Sequence, residues 1–206
     1  MRLMVRAKGF AGVRAAGAVL AGLLLLAGCT PPDGNGPQPT NGPGAGPERS
    51  QSSTATKTVL VYFDNQVLNP NAADCSKVYA VPRTVPASAD MLTASMQQLL
   101  AGPTAAESAQ GYRSWFSSAT ANALVSAKVS GGTSYVNLTD IRTVIPNAST
   151  SCGSQALLAQ LGTTAQQAGM TPQVRYAIEG QPKAFWEWLQ MGCDASNDNC
   201  DAAPFN

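Results

Sequence analysis

Histidine is absent from all 206 residues of this chain. That absence removes the Ser-His-Asp and Cys-His nucleophile arrangements and every metal site that needs an imidazole. A Ser-x-x-Lys dyad is missing as well, because no lysine has a serine three residues before it. Charge is sparse: 12% of residues are Asp, Glu, Lys or Arg, the formal net charge is +1, and the basic residues are scattered. Nothing resembles a surface that follows a phosphate backbone, so nucleic acid is not an expected partner. A phosphate-cradling glycine loop is lacking too, since the glycines from Gly34 to Gly46 lie in a Pro-rich stretch rather than between a strand and a helix. No cofactor and no metal are expected. What remains open is a carboxylate pair of the kind that hydrolyses glycosidic bonds, with Asp64, Asp74, Asp90, Glu107, Asp140 and Glu179 available. The plainer expectation for each is solvated surface charge.

What is present begins with a basic segment, Met1 to Arg14, and an apolar run ending in Leu26-Ala27-Gly28-Cys29. This reads as a lipoprotein signal peptide over residues 1–28, too short to span a bilayer as a mature helix, with cleavage and lipidation at Cys29. A lipid there contributes roughly 0.8 kcal/mol of membrane affinity per buried methylene. The expected location is extracytoplasmic, lipid-anchored to the bacterial cell membrane. Residues 29–54 are rich in Pro, Gly, Asn, Ser and Thr with few large apolar side chains, the composition of a disordered tether. A folded domain is expected over 55–182, followed by a short helix and a disulfide-closed tail over 183–206.

Within the domain, Thr58–Phe63 predicts a strand ending at Asp64-Asn65, and Val78–Val81 a second one stopped or bulged at Pro82 and extended by Arg83–Val85 along an edge. Leu92, Met96, Leu99 and Leu100 share one helical face, with Ser88 as cap and Gly102-Pro103 as terminator. Ala127–Ser130, Gly131-Gly132 and Thr133–Leu138 predict a β-hairpin that turns Val136 and Leu138 into the core. Ser154–Gly169 predicts a second amphipathic helix, with Gln155, Gln160, Gln166 and Gln167 on its wet side. Val174, Tyr176 and Ile178 alternate as a strand with one buried face, and Phe185–Leu189 suggests a short helix capping the core. The order predicts an α+β fold: a mixed β-sheet with two main amphipathic helices packed on one face.

With Cys29 assigned to lipid, four cysteines remain, and an oxidising envelope favours disulfides Cys75 with Cys152 and Cys193 with Cys200. Asp194, Ser196, Asp198 and Asp201 have a calcium-loop look. However, Asn199 replaces the turn glycine and Phe205 stands where the closing glutamate belongs, so a solvated tail is expected.

Val61-Tyr62-Phe63-Asp64, Leu99-Leu100-Ala101-Gly102-Pro103-Thr104, the hairpin with Tyr135-Val136-Asn137-Leu138, and the strand leading to Glu179-Gly180-Gln181-Pro182 together resemble the GerMN domain of sporulation and spore-germination proteins. The resemblance runs from Thr58 to Pro182. Ser114–Ser117 and Pro146–Gly153 resemble a subgroup of bacterial envelope lipoproteins that carry this domain. The resemblance implies a compact α+β interaction module, also compared with ring-building motifs, and no catalysis. Asn137 stands where the family pattern has Asp, and the cysteines are not general to the domain.

Two spots are candidates for ligand or partner contact. One is the aromatic stretch Tyr112, Trp115 and Phe116, suited to a shallow groove. The other is Asn147, Ser149, Thr150 and Ser151, hydroxyl-rich and just ahead of a helix N-terminus that favours anions or sugar oxygens. The expectation is a non-catalytic envelope module that binds a cell-envelope protein or peptidoglycan. The alternative is a carboxylate-dependent envelope hydrolase acting on cell-wall glycan.

Overall fold

The computed structural model describes residues 55–193 and 200–206. The expected signal segment, Cys29 and the tether lie outside these residues, as do Asp194, Ser196 and Asp198 of the acidic tail. In order come β1 (Thr56–Asn65), β2 (Tyr79–Pro86), α1 (Met91–Leu100), α2 (Ala105–Ala109), β3 (Tyr112–Arg113), β4 (Leu124–Ser130), β5 (Thr133–Leu138), α3 (Ser151–Gly169), β6 (Gln173–Ile178) and α4 (Pro182–Trp188). Short 3-10 turns occur at Pro70–Ala72, Ser118–Thr120 and Ala203–Phe205.

The domain is α+β, with its strands divided between two three-stranded sheets rather than gathered in one. In the first, β1 pairs antiparallel with β2 on one side and with the two-residue β3 on the other. In the second, β5 pairs antiparallel with β4 through the hairpin and parallel with β6. The parallel pair is joined by α3, the crossover such a connection requires. What unites the sheets is a shared core: Val61 and Phe63 of β1, Val136 and Leu138 of β5, and Tyr176 and Ile178 of β6 belong to one buried cluster with Leu92, Met96 and Leu99 of α1 and Leu157, Leu161 and Ala165 of α3.

β1 alternates, with Val59, Val61 and Phe63 buried and Leu60 outside. Pro82 does not interrupt β2. It sits opposite Leu60 in a continuous register from Phe63↔Tyr79 to Thr56↔Pro86. β2 is an edge strand, where a missing N–H costs no ladder bond. The cap of α1 is Asp90 rather than Ser88: its carboxylate accepts from the Thr93 N–H at 2.8 Å. α3 begins at Ser151, three residues earlier than the apolar stripe suggests, because Thr150 caps it by accepting from the Gly153 N–H. It ends on Met170, which takes the left-handed conformation at φ 51°. α4 continues the core past the expected domain end, with Phe185 buried and stacked on Tyr176 at 4.8 Å between ring centroids. Asn137 is structural: its side-chain oxygen accepts from the Gly180 N–H at 2.8 Å and fixes the turn that follows β6.

The corner from α1 to α2 explains the Leu-Ala-Gly-Pro-Thr motif. Gly102 has φ 75°, and a Cβ there would meet the Phe116 carbonyl oxygen at 2.3 Å. Thr104 and Glu107 form a capping box that starts α2, a helix not expected from the apolar pattern but signalled by the Thr-x-x-Glu spacing. Arg83, from the neighbouring edge strand, donates to the Gly102 carbonyl at 3.1 Å and to Glu107 at 2.6 Å. The two charged side chains are only 13% and 15% exposed.

Candidate functional site

A cleft of about 400 Å³ opens at the C-terminal end of β1. Three segments make its walls. The chain leaves β1 at Asp64 and Asn65, and the buried Asn65 side chain turns it by accepting from the Val67 and Leu68 N–H groups. Asn69 then closes a small loop, donating to the Asp74 carbonyl and accepting from the Asp74 N–H. Cys75 follows, joined to Cys152 with their Cα atoms 5.2 Å apart. That bond pins the loop to the first turn of α3, whose residues Cys152, Gly153, Ala156 and Gln160 all line the cleft. Their spacing places them on one helix face, and the small residues leave the room. The third wall is Arg113, Ser114 and Trp115, held in place where β3 pairs with β1, Asp64 opposite Arg113.

Gln160 does not lie on the wet side of α3. It is 1% exposed, and its side-chain oxygen accepts from the Ser114 hydroxyl at 2.5 Å. Ser114 in turn accepts from the Phe116 N–H at 3.0 Å. Periodicity could not reveal this, because the partner arrives from a different segment. No protein hydrogen bond is donated by the Gln160 amide nitrogen among the described residues.

The two expected spots partly merge. Trp115 and Thr150 line the same cleft. Tyr112 lines a separate shallow hollow with Pro103, Ser108 and Phe116. Phe116 is 2% exposed and belongs to the core, so it is not a surface aromatic, whereas its neighbour Trp115 is only partly buried against that core. Ser149 and Ser151 line a third hollow with Leu189 and Met191 on the other side of the α3 start. Asn147 lines none of the three. It takes φ 62° and its carbonyl accepts from the Thr150 N–H and hydroxyl, a turn-forming role.

The six candidate acids separate. Asp64 and Asp74 both line the cleft. Asp90 caps α1, Glu107 pairs with Arg83, and Asp140 pairs with Arg142 at 2.6 Å. Glu179 adopts φ 50° in the turn after β6. The Ser76 hydroxyl and N–H hold the Asp74 carboxyl below its ordinary value, so it stays ionised. Among the described residues no group of acids and cysteines could hold a metal ion.

A family model described as Germane, sporulation and spore germination, matches residues 60–184. The chain belongs to this family. The Germane match contains every residue of the cleft and the α1–α2 corner. Comparison with curated proteins gave no match, and comparison with solved structures gave none either. Germane membership links the chain to proteins described by sporulation and spore germination.

Proposed function

We propose that this chain is a lipoprotein anchored through Cys29 whose Germane domain is a non-catalytic binding module for cell-wall polymer, with the disulfide-walled cleft as its site. The observation that carries this reading is the pairing, in one cleft, of the Trp115 ring with the Gln160 amide, whose oxygen is engaged by Ser114 while its NH2 has no protein acceptor. An apolar body with a few placed polar groups is the usual make-up of a ligand site. A protein partner is the second reading, supported by Val67 and Leu68, which are 68% and 57% exposed on the loop that leads into the cleft wall. A hydrolase would need one protonated and one ionised carboxyl facing each other. Asp64 and Asp74 share the cleft and the Ser76 bonds suit Asp74 to the ionised role, but no observation identifies the protonated partner, so this reading has less support.

The test is sedimentation of the full chain, in mild detergent, with purified cell-wall sacculi at two salt concentrations. Saturable pelleting that resists salt is expected, because the cleft offers stacking and neutral hydrogen bonds rather than a charge pattern. Trp115→Leu keeps an apolar side chain against the core and should lower the bound fraction about tenfold or more. No pelleting by the unaltered chain would overturn the cell-wall reading and favour a protein partner.

A further inference from the structure

We propose that the cleft recognises the acylamino group of an N-acetylated sugar, with Gln160 donating to its carbonyl. This rests on the cell-wall reading above and names the chemical group that the site selects.

The geometry begins at Ser114. Its hydroxyl accepts from the Phe116 N–H and donates to the Gln160 side-chain oxygen. In this arrangement the amide NH2 is turned away from Ser114 and has no protein acceptor. Gln160 is 1% exposed, and the open space it borders is the cleft. The NH2 group faces solvent in the cleft, where the acceptor of a bound ligand takes the place of water.

The acceptor that fits is neutral. Asp64 and Asp74 outnumber the one cation of the lining, Arg113, so the cleft carries a net negative charge that repels a carboxylate or phosphate and leaves a carbonyl unaffected. The same cleft has a small apolar part of its lining in Ala72, Ala156 and the Cys75–Cys152 disulfide, suited to a methyl group. Trp115 offers a ring for the C–H face of a pyranose, and Asp64 an acceptor for a hydroxyl or an amide N–H. Carbonyl, methyl, N–H and a flat C–H face occur together in an N-acetylhexosamine. A peptide carries the acylamino group without that face or the hydroxyls.

The experiment is calorimetric titration of the full chain in detergent with chitotriose, with cellotriose, which lacks the acetamido groups, and with N-acetyl-alanyl-alanine amide. Chitotriose is expected to bind about tenfold or more tightly than either. Equal affinity for the two sugars, tighter binding of the peptide, or no binding of any of the three overturns the proposal. Gln160→Glu keeps an acceptor for Ser114 and removes both N–H donors. It should erase the preference for chitotriose over cellotriose, and a preserved preference overturns the role of Gln160. The three-ligand comparison uses the unaltered protein, so it stands even if this variant fails to fold. Sacculi that pellet the protein without a chitotriose preference would sink this inference and leave the cell-wall reading standing. Failure of both measurements would sink both.

Discussion

Trp115 and Phe116 are neighbours in sequence that belong to two different regions, the cleft and the α1–α2 corner, and those regions use their polar groups in opposite ways. At the corner the groups are matched internally. Arg83, Glu107, Thr104 and the carbonyl of Gly102 bond one another, and Arg83 Nε alone is left over. In the cleft the protein goes half way: Ser114 engages one end of the Gln160 amide and nothing in the protein engages the other. The most recognisable motif of the family therefore makes a joint. The residues that bear on binding lie elsewhere, on a helix face whose pattern looks unremarkable.

If the regions are as separate as this, changes at the corner should alter stability without altering binding, and changes in the cleft the reverse. The disulfide at the cleft wall is the exception that should alter both. Replacing Cys75 and Cys152 together with serine releases a link between residues 77 apart in sequence. Urea denaturation should show a loss of about 4 kcal/mol, less any relief of strain in the native state, and sacculus pelleting should fall because a cleft wall is freed. Gly102→Ala comes next. It combines a left-handed backbone with a clash against the Phe116 carbonyl and should cost about 3 kcal/mol, while pelleting per folded molecule stays unchanged. A drop in pelleting there would mean that the corner and the cleft are coupled.

Asp90→Ala removes the cap of α1, the helix that leads into the corner, and should cost about 1 kcal/mol in the same denaturation measurement. The smallest effect is expected at Asp140, whose carboxyl is brought down to about 2 chiefly by the Arg142 side chain. A folded value below the unfolded one means that the contribution is complete above about pH 4 and fades as pH falls toward 2. The pair is exposed, so Asp140→Asn should shift the melting temperature by no more than about 2 °C at pH 7 and by nothing near pH 2. That variant also serves as a control for surface charge: if it changed pelleting, binding would depend on charge far from the cleft.

Much of the fold was legible because hydrophobic period reports burial directly. The stripe on α1, the Gly131-Gly132 hairpin with Val136 and Leu138 inward, and Phe185 as a core cap all follow from local pattern. What pattern could not show was anything that depends on pairing across the chain. Pro82 looked like a stop or bulge, and only the pairing with β1 shows an unbroken register through it on the expected edge. The division into two sheets depends on registers that no single strand encodes. Gln160 looked solvated until Ser114 arrived beside it, and Phe116 looked like a surface partner of Trp115 until the core claimed it. Two caps within reach of α1, Ser88 and Asp90, are chemically similar in a sequence, and backbone geometry chose the second. The site was legible in its fragments, since Trp115 and Thr150 were both singled out, but their convergence is a product of tertiary structure.

The Cys75–Cys152 bond also decides how the domain would respond to being pulled from its two ends. Tension entering at β1 would cross from residue 75 to residue 152 through the sulfurs and continue along α3 to β6. Everything between those positions, including β2, both helices of the corner and the hairpin, hangs off that line as a closed ring. Stretching would peel β1 or unwind α3 before it drew on the ring, so the joint at Gly102 would keep its shape under a force that had already opened the cleft.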